Sequence, residues 1–298
     1  MAHNGLVYLN GSFLPREEAK ISLFDRGLLF GDGLFETMRA YHGQVFRFDR
    51  HFERFWRSIE FLKIPFSSSK EAVRSALDRL LEANQLNEAY IRLMVWRGEG
   101  FGLDPEACSS GSVAIIARPL VPYPQAAYEN GFKGAVVSIR QNEWSPLSRM
   151  KSLNFLPNIV AKMEAKAKGA DEGILLNTKG HVAEGTVSNV FLVLRGQLVT
   201  PSLESGALPG ITREAVLELA KGEGINAIEQ EIALSELMAA EEVFLTNTLM
   251  EVMPMTSIDS LPIGDGRPGP LTKLLAKAYR ELVAKETRSG RATSTSSP

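Results

Sequence analysis

The stretch Pro119-Leu120-Val121-Pro122-Tyr123-Pro124 places three prolines in six residues. Proline fixes φ and has no N–H to give to a ladder or a helix, so regular structure cannot run through this segment. It predicts a linker over 119–132, with a small N-terminal domain over 1–118 and a C-terminal domain over 133–287. Residues 288–298 are rich in Ser, Thr, Gly and Pro and are expected to be a disordered tail. On the N-terminal side, Asn10-Gly11 and His42-Gly43 read as hairpin turns, the first joining 7–9 to 12–14 and the second joining 35–41 to 44–47. Phe52, Phe55, Trp56, Ile59 and Leu62 then recur at three and four, which is a helix with Asp49 as its expected N-cap and Pro65 past its end. A second helix over 69–84 and strands over 89–96 and 112–117 follow. On the C-terminal side, strands are expected at 135–139, 173–176, 187–194, 197–199 and 243–246. Helices are expected at 156–168, from Gly210 onward, at 235–240, and finally through Leu271, Leu274, Leu275, Ala278, Leu282 and Val283. Hairpins mixed with helices point to an α+β fold of two lobes, not to one doubly wound sheet.

Composition narrows the function. The chain has 298 residues, 33 Lys and Arg against 35 Asp and Glu, and a net charge of −2. No basic field is available for nucleic acid. Cys108 is the single cysteine and the four histidines are scattered, so neither a disulfide nor a Cys/His metal cluster is expected. The longest apolar runs, 112–117 and 190–194, are strand-length, far below the ~20 residues of a spanning helix. Residues 1–10 lack the basic and apolar regions of a secretory signal. A cytoplasmic protein with no membrane partner is the expectation.

Five features could carry chemistry. Lys151 lies in Ser148-Arg149-Met150-Lys151-Ser152-Leu153-Asn154, between an expected strand and an expected helix. Schiff-base chemistry needs such an amine on a rigid element, although a lone lysine is ordinarily a solvated one. Leu208-Pro209-Gly210-Ile211-Thr212-Arg213 opens a helix, where backbone N–H groups and a hydroxyl can cradle an anion or simply cap the first turn. Glu184, just before an apolar strand, could pair with a ring nitrogen or belong to a turn. Arg54 lies beside the core-facing Phe55, so its head could reach inward to a phosphate or its stem could pack on the helix surface. Gly31-Asp32-Gly33 does not fit GxGxxG and has no βαβ unit after it, which excludes a dinucleotide fingerprint.

In order, the chain carries Asp25-Arg26-Gly27, Phe30-Gly31-Asp32-Gly33-Leu34-Phe35-Glu36-Thr37, His51-Phe52-Glu53-Arg54, Lys151-Ser152-Leu153-Asn154, Glu184-Gly185-Thr186-Val187-Ser188-Asn189-Val190-Phe191, Leu208-Pro209-Gly210-Ile211-Thr212-Arg213 and Thr246-Asn247-Thr248. This succession, from about residue 7 to about residue 264, resembles the class IV aminotransferases, the fold-type IV pyridoxal-phosphate enzymes. They include branched-chain and D-amino-acid aminotransferases and aminodeoxychorismate lyases. The resemblance implies a small N-terminal lobe and a larger C-terminal lobe with pyridoxal 5'-phosphate between them, in a homodimer. It implies that Lys151 bonds the cofactor and shuttles a proton, and that Glu184 pairs with the pyridine nitrogen. Arg54, Gly210, Ile211, Thr212 and Thr248 would hold the phosphate, and Leu208 would pack on the ring. Many branched-chain enzymes have Asn-Tyr after the lysine, the tyrosine reaching the cofactor's phenolic oxygen. Here Asn154 is followed by Phe155 and Leu156, which have no donor for it.

Two activities of the family remain open at this point. Tyr90-Ile91-Arg92 resembles the branched-chain group, with Arg92 meeting a substrate carboxylate bidentately, and Phe35, Thr37, Tyr90, Arg92 and Leu249 are the implied substrate-binding residues. The expected reaction moves an amino group from a branched-chain-like amino acid or an amine to a 2-oxo acid. Thr37, Leu249 and Met250 instead resemble the lyases, which release 4-aminobenzoate and pyruvate.

Overall fold

The computed structural model describes residues 5–108 and 110–288 and divides into two compact units. The first takes in the described residues up to 121, together with 151–154 and 283–288. Its elements are β1 (Leu6–Leu9), β2 (Ser12–Pro15), α1 (Arg26–Leu29), β3 (Gly33–Tyr41), β4 (Gln44–Val45), α2 (Phe48–Leu62), α3 (Lys70–Ala83), β5 (Ala89–Trp96) and β6 (Ser112–Pro119). The strands form one antiparallel sheet in the order β2-β1-β6-β5-β3-β4. Side chains alternate across a strand. Leu34, Met38, Ile91 and Leu93 therefore share the face that closes on the buried Phe55, Leu77 and Leu80 of the helices, and Phe35, Thr37, Tyr90 and Arg92 share the other. Helix α2 begins one residue before the expected cap. Arg47 takes the N-cap position with a left-handed φ of 50°, because the buried Phe48 already belongs to the first turn. Asp49 instead lies within that turn and receives Lys70 Nζ at 2.6 Å, with its carboxylate at the positive end of the helix.

The second unit holds residues 122–150 and 155–282. Its elements are α4 (Gln125–Asn130), β7 (Phe132–Gln141), α5 (Leu156–Ala167), β8 (Glu172–Asn177), β9 (Val182–Gly185), β10 (Asn189–Leu194), β11 (Gln197–Pro201), α6 (Ile211–Gly222), β12 (Ala227–Gln230), α7 (Leu234–Met238), β13 (Glu242–Asn247), β14 (Glu251–Ile258), β15 (Leu261–Pro262) and α8 (Pro270–Arg288), whose last six residues group with the first unit. A mixed sheet runs β12-β11-β10-β13-β14-β7-β8-β9 with β15 on β14, and it curls so that β9 comes near β10 and β11. No described helix is long and apolar enough to cross a membrane.

Other sequence expectations change as well. The strand expected over 187–194 starts only at Asn189, because residues 186–188 form a bend between β9 and β10. Strand β14 has no counterpart among the expected strands, since Pro254 lies in its middle. It pairs there with Phe244, and the ladder shift toward β7 falls just beyond it, between Met255 and Ser257. The expected linker contains α4, and Phe132 already begins β7. Of the expected tail, Arg288 closes α8 and 289–298 lie outside the described residues.

Residues 151–154, placed in the C-terminal domain by the sequence reading, belong to the first unit. Phe35 N donates to Lys151 O at 2.8 Å, Leu153 N donates to Gly33 O at 2.9 Å, and Ser152 bridges Leu34. The two-residue β4 pairs only with Ala40 and Tyr41, so the other end of the β3 edge takes this segment instead. Gly33 permits the approach: a Cβ there would stand 2.5 Å from Val95 O and 2.7 Å from Leu153 Cδ1.

One charged cluster is sealed beneath the sheet. Arg54 gives Nε and Nη2 to the two carboxylate oxygens of Glu36 at 2.8 and 2.7 Å, and His51 Nδ1 lies 2.8 Å from Glu36 Oε2. Burial pushes the Glu36 carboxyl up, but the Arg54 charge and the His51 contact outweigh it and hold the group down at about 2. Burial pushes His51 below its ordinary value. Glu36 opposes this, while Arg54 and Lys151 add to it. The neutral imidazole then donates Nδ1–H to the carboxylate. Both shifts give stability the same sign of pH dependence. Below pH 6.5 the unfolded chain protonates His51 before the folded chain does, and below pH 4.5 it does so for Glu36. Stability is thus fully present above pH 6.5 and falls on acidification, the Glu36 share being about 3 kcal/mol lost between pH 4.5 and 2. Thermal melts from pH 8 to pH 3 should show this decline. Glu36→Gln should melt lower at pH 7, because Arg54 loses its counter-charge, and should decline less steeply below pH 4.5. An unchanged acid slope in the variant would assign the decline to other groups.

Candidate active site

On the other face of the first sheet, the buried Phe35 is the common contact of two cations. Lys151 Nζ lies 4.5 Å from its ring centroid and the Arg92 guanidinium carbon lies 3.7 Å from it. Both distances are within the range of a cation–π contact. Thr37 stands directly across from Arg92 on the neighbouring strand and is half-buried. Tyr90 stands across from Arg39, with the Arg118 guanidinium 4.4 Å from its ring. Phe35, Thr37, Tyr90, Arg92 and Lys151 are thus brought together by strand alternation and by the return of 151–154 to the β3 edge. The result is an amine and a guanidinium against one aromatic wall, a combination suited to a substrate that has a carboxylate and an apolar body.

Arg54 lies on the opposite face. Its head points inward as the sequence suggested, but two of its donors meet Glu36. Glu36 and His51 were not singled out as functional residues by the sequence reading. The available signal was the placing of His51 and Arg54 on one face of α2 at i and i+3.

In the second unit, Glu184 lies near the end of β9 and is buried. Its Oε1 accepts from Gln141 Nε2 at 3.2 Å and its Oε2 accepts from Leu208 N at 2.9 Å. Gln141 also donates to Gly206 O at 3.1 Å, so β7 and the 206–208 segment together orient the carboxylate. Asn189, the first residue of β10, donates Nδ2 to Leu208 O at 2.8 Å. The next turn opens α6 with Gly210 as N-cap and no side chain capping the helix. A Cβ on Gly210 would stand 2.0 Å from Asn189 Oδ1, so only glycine lets the helix start approach β10 this closely. Ile211 and Thr212 are buried in the first turn.

Asn189 pairs with Thr246 across the sheet, and Thr248 and Leu249 follow in the half-buried turn after β13. Asn247 shapes that turn by accepting from Leu249 N at 2.9 Å and Met250 N at 2.8 Å. Beside these groups the hydroxyls of Ser188 and Thr246 are buried with no hydrogen-bond partner among the described residues. Uncapped N–H groups at a helix start and two unsatisfied buried hydroxyls are donors for a phosphate, and a buried carboxylate is an acceptor for a protonated ring nitrogen, a combination that fits a phosphorylated, nitrogen-containing ring. Gln141, Asn189, Ser188 and Thr246 were absent from the sequence-derived site, since a strand position alone gives no sign of what a polar side chain will meet across a curled sheet.

Comparison with known proteins agrees with this chemistry. The family model for amino-transferase class IV matches residues 33–258. The branched-chain-amino-acid aminotransferase of Escherichia coli (strain K12) is 35% identical over 289 residues, covering 94% of each chain. A crystal structure of the E. coli branched-chain enzyme matches with a TM-score of 0.91 at 34% identity, over 97% of this chain and 98% of that one. The D-alanine aminotransferase of Bacillus licheniformis is 35% identical over 288 residues, 94% of this chain and 98% of the relative. A branched-chain amino acid aminotransferase from T.th., solved with pyridoxamine 5'-phosphate, matches with a TM-score of 0.90 at 33% identity, over 96% of each chain. Because the matched region runs through both units and takes in Lys151, Glu184 and the start of α6, the chain belongs to the class IV aminotransferases, the family of pyridoxal-phosphate-dependent transaminases.

Proposed function

We propose that the amino donor is an amino acid with an apolar, branched-chain-like side chain, that the acceptor is a 2-oxo acid, and that this chain itself binds pyridoxal 5'-phosphate. The carrying observation is the Phe35 wall with Lys151 Nζ and the Arg92 guanidinium against it. An apolar side chain packs on the ring in one half-reaction. In the other, Arg92 takes the distal carboxylate of a dicarboxylic 2-oxo acid as a bidentate pair. The cofactor supplies an electron sink for the carbanion at the substrate Cα. Lys151 would hold the cofactor, and its Nζ would take and return the substrate Cα proton as general base. Glu184 would pair with the ring nitrogen and favour its protonated form, and the hydrogen bonds from Gln141 and Leu208 hold that carboxylate in place. Gly210, Ile211, Thr212 and Thr248 are assigned to the phosphate, with Arg54 contributing charge from its buried position. Leu208 would pack on the ring, and Leu249 would border the substrate. The relatives described above are aminotransferases, which favours transamination over elimination to 4-aminobenzoate. A second copy of the chain is the proposed partner, and the exposed Leu23, Phe24, Phe101 and Leu103 supply apolar surface for it to cover.

Three measurements test this reading. Sodium borohydride should fix the cofactor to Lys151, and peptide mapping that finds it on another lysine overturns the assignment. Arg92→Leu should raise KM for a dicarboxylic 2-oxo acid about ten-fold or more, the cost of one charge-assisted pair at about 1.5–3 kcal/mol, and leave monocarboxylic acceptors nearly unaffected. Equal losses for both acceptor types would remove Arg92 from carboxylate recognition. Glu184→Gln should still bind cofactor but turn over at least about a hundred-fold more slowly, since a neutral amide does not favour the charged ring. An unchanged kcat would reduce Glu184 to a turn residue.

A further inference from the structure

We infer that Glu172 is a positioning residue: through Thr186 it holds the turn that aims Glu184 and Asn189 at the two sides of the Leu208 backbone. The functional consequence rests on the proposed roles of Glu184 and Leu208 toward the cofactor. The positioning itself rests on geometry within the second unit alone.

Glu172 is the first residue of β8 and is fully buried. Its Oε1 accepts from Thr186 N at 2.7 Å and also from the Thr186 hydroxyl. Its Oε2 meets Lys162 Nζ from α5 at 3.0 Å. The same helix sends Asn158 Nδ2 to Thr186 O at 2.8 Å, so donors and acceptor of Thr186 are all engaged. The turn is tight: Gly185 N donates to Ser188 O at 2.7 Å, and Asn247 Nδ2 donates to Val187 O at 3.0 Å. A Cβ on Gly185 would stand 2.2 Å from Ser188 Oγ.

The residues flanking this turn grip one and the same residue. Glu184, before it, accepts from Leu208 N, and Asn189, after it, donates to Leu208 O. Rotation or fraying of 185–188 therefore moves both grips together and releases the segment that leads into α6. Only a carboxylate meets the demand at 172. Three donors converge on it, whereas a glutamine would turn an NH2 group toward at least one of them. Lys162 supplies the charge that a buried carboxylate needs. The contacts thus run from α5 through Glu172 and Thr186 to Glu184, Asn189, Leu208 and the start of α6.

The test uses the holoenzyme and the variants Glu172→Gln, Thr186→Val and Thr186→Ser. Hydrogen exchange at the Leu208 amide is read alongside the dissociation constant for pyridoxal 5'-phosphate. Glu172→Gln and Thr186→Val should speed Leu208 exchange at least about ten-fold and raise the dissociation constant at least about five-fold, and Thr186→Ser, which keeps the hydroxyl, should restore both. If Glu172→Gln does not fold, Thr186→Val decides alone. A Thr186→Val protein with a lowered Tm but wild-type Leu208 exchange overturns the inference and leaves Glu172 a structural carboxylate. Faster Leu208 exchange with an unchanged dissociation constant upholds the positioning and overturns the assignment of Glu184 and Leu208 to the cofactor.

Discussion

Two main-chain hydrogen bonds, from Phe35 N to Lys151 O and from Leu153 N to Gly33 O, are the constraint on which the candidate chemistry depends. A lysine on a free loop would sample many positions and lose its entropy only when it reacted. Here the backbone on both sides of Ser152 is tied to the edge of a nine-residue strand, and the side chain lies against a ring carried by that same strand. The edge accepts the segment because β4 covers only its far end, and the approach is close because residue 33 has no side chain.

The second unit solves a comparable problem with side chains. Glu184, near the end of β9, and Asn189, at the start of β10, flank the bend at 186–188, a gap in the strand pairing. Polar side chains fill the gap: Glu172, Asn158 and Asn247 hold the bend, and Glu184 and Asn189 hold the segment that starts α6. Buried polar groups of this kind are costly unless satisfied and rigid once satisfied. The hydroxyls of Ser188 and Thr246, which find no partner among the described residues, stand out against that background.

The buried Glu36, His51 and Arg54 cluster shows how a residue's chemistry can differ from its first reading. Arg54 was legible as an inward-reaching cation. Its principal partner is an acid on the core face of β3, and that acid is held ionised by the pairing. Whatever charge Arg54 lends to a bound phosphate comes from a guanidinium already fixed in orientation.

The sequence by itself determined most of the local structure and the cast of candidate residues. Periodicity placed α2 and α3, Asn-Gly and His-Gly turns placed the hairpins, and the ordered motifs brought Lys151, Glu184 and the Gly210 helix start into one family. These signals are short in range, carried by neighbours in the chain. Tertiary structure decided the rest. It assigned 151–154 to the first unit, because an open strand edge is a property of the folded sheet. It kept Pro254 inside a strand, where it pairs with Phe244 of β13 just before the β7 ladder starts at Met255, so its missing N–H is not needed on the β7 side. It also chose Glu172 to hold Thr186 and Glu36 to hold Arg54, since a buried charge takes whichever partner the folded chain brings within reach, and partners 14 and 18 residues apart leave no periodic trace in the sequence.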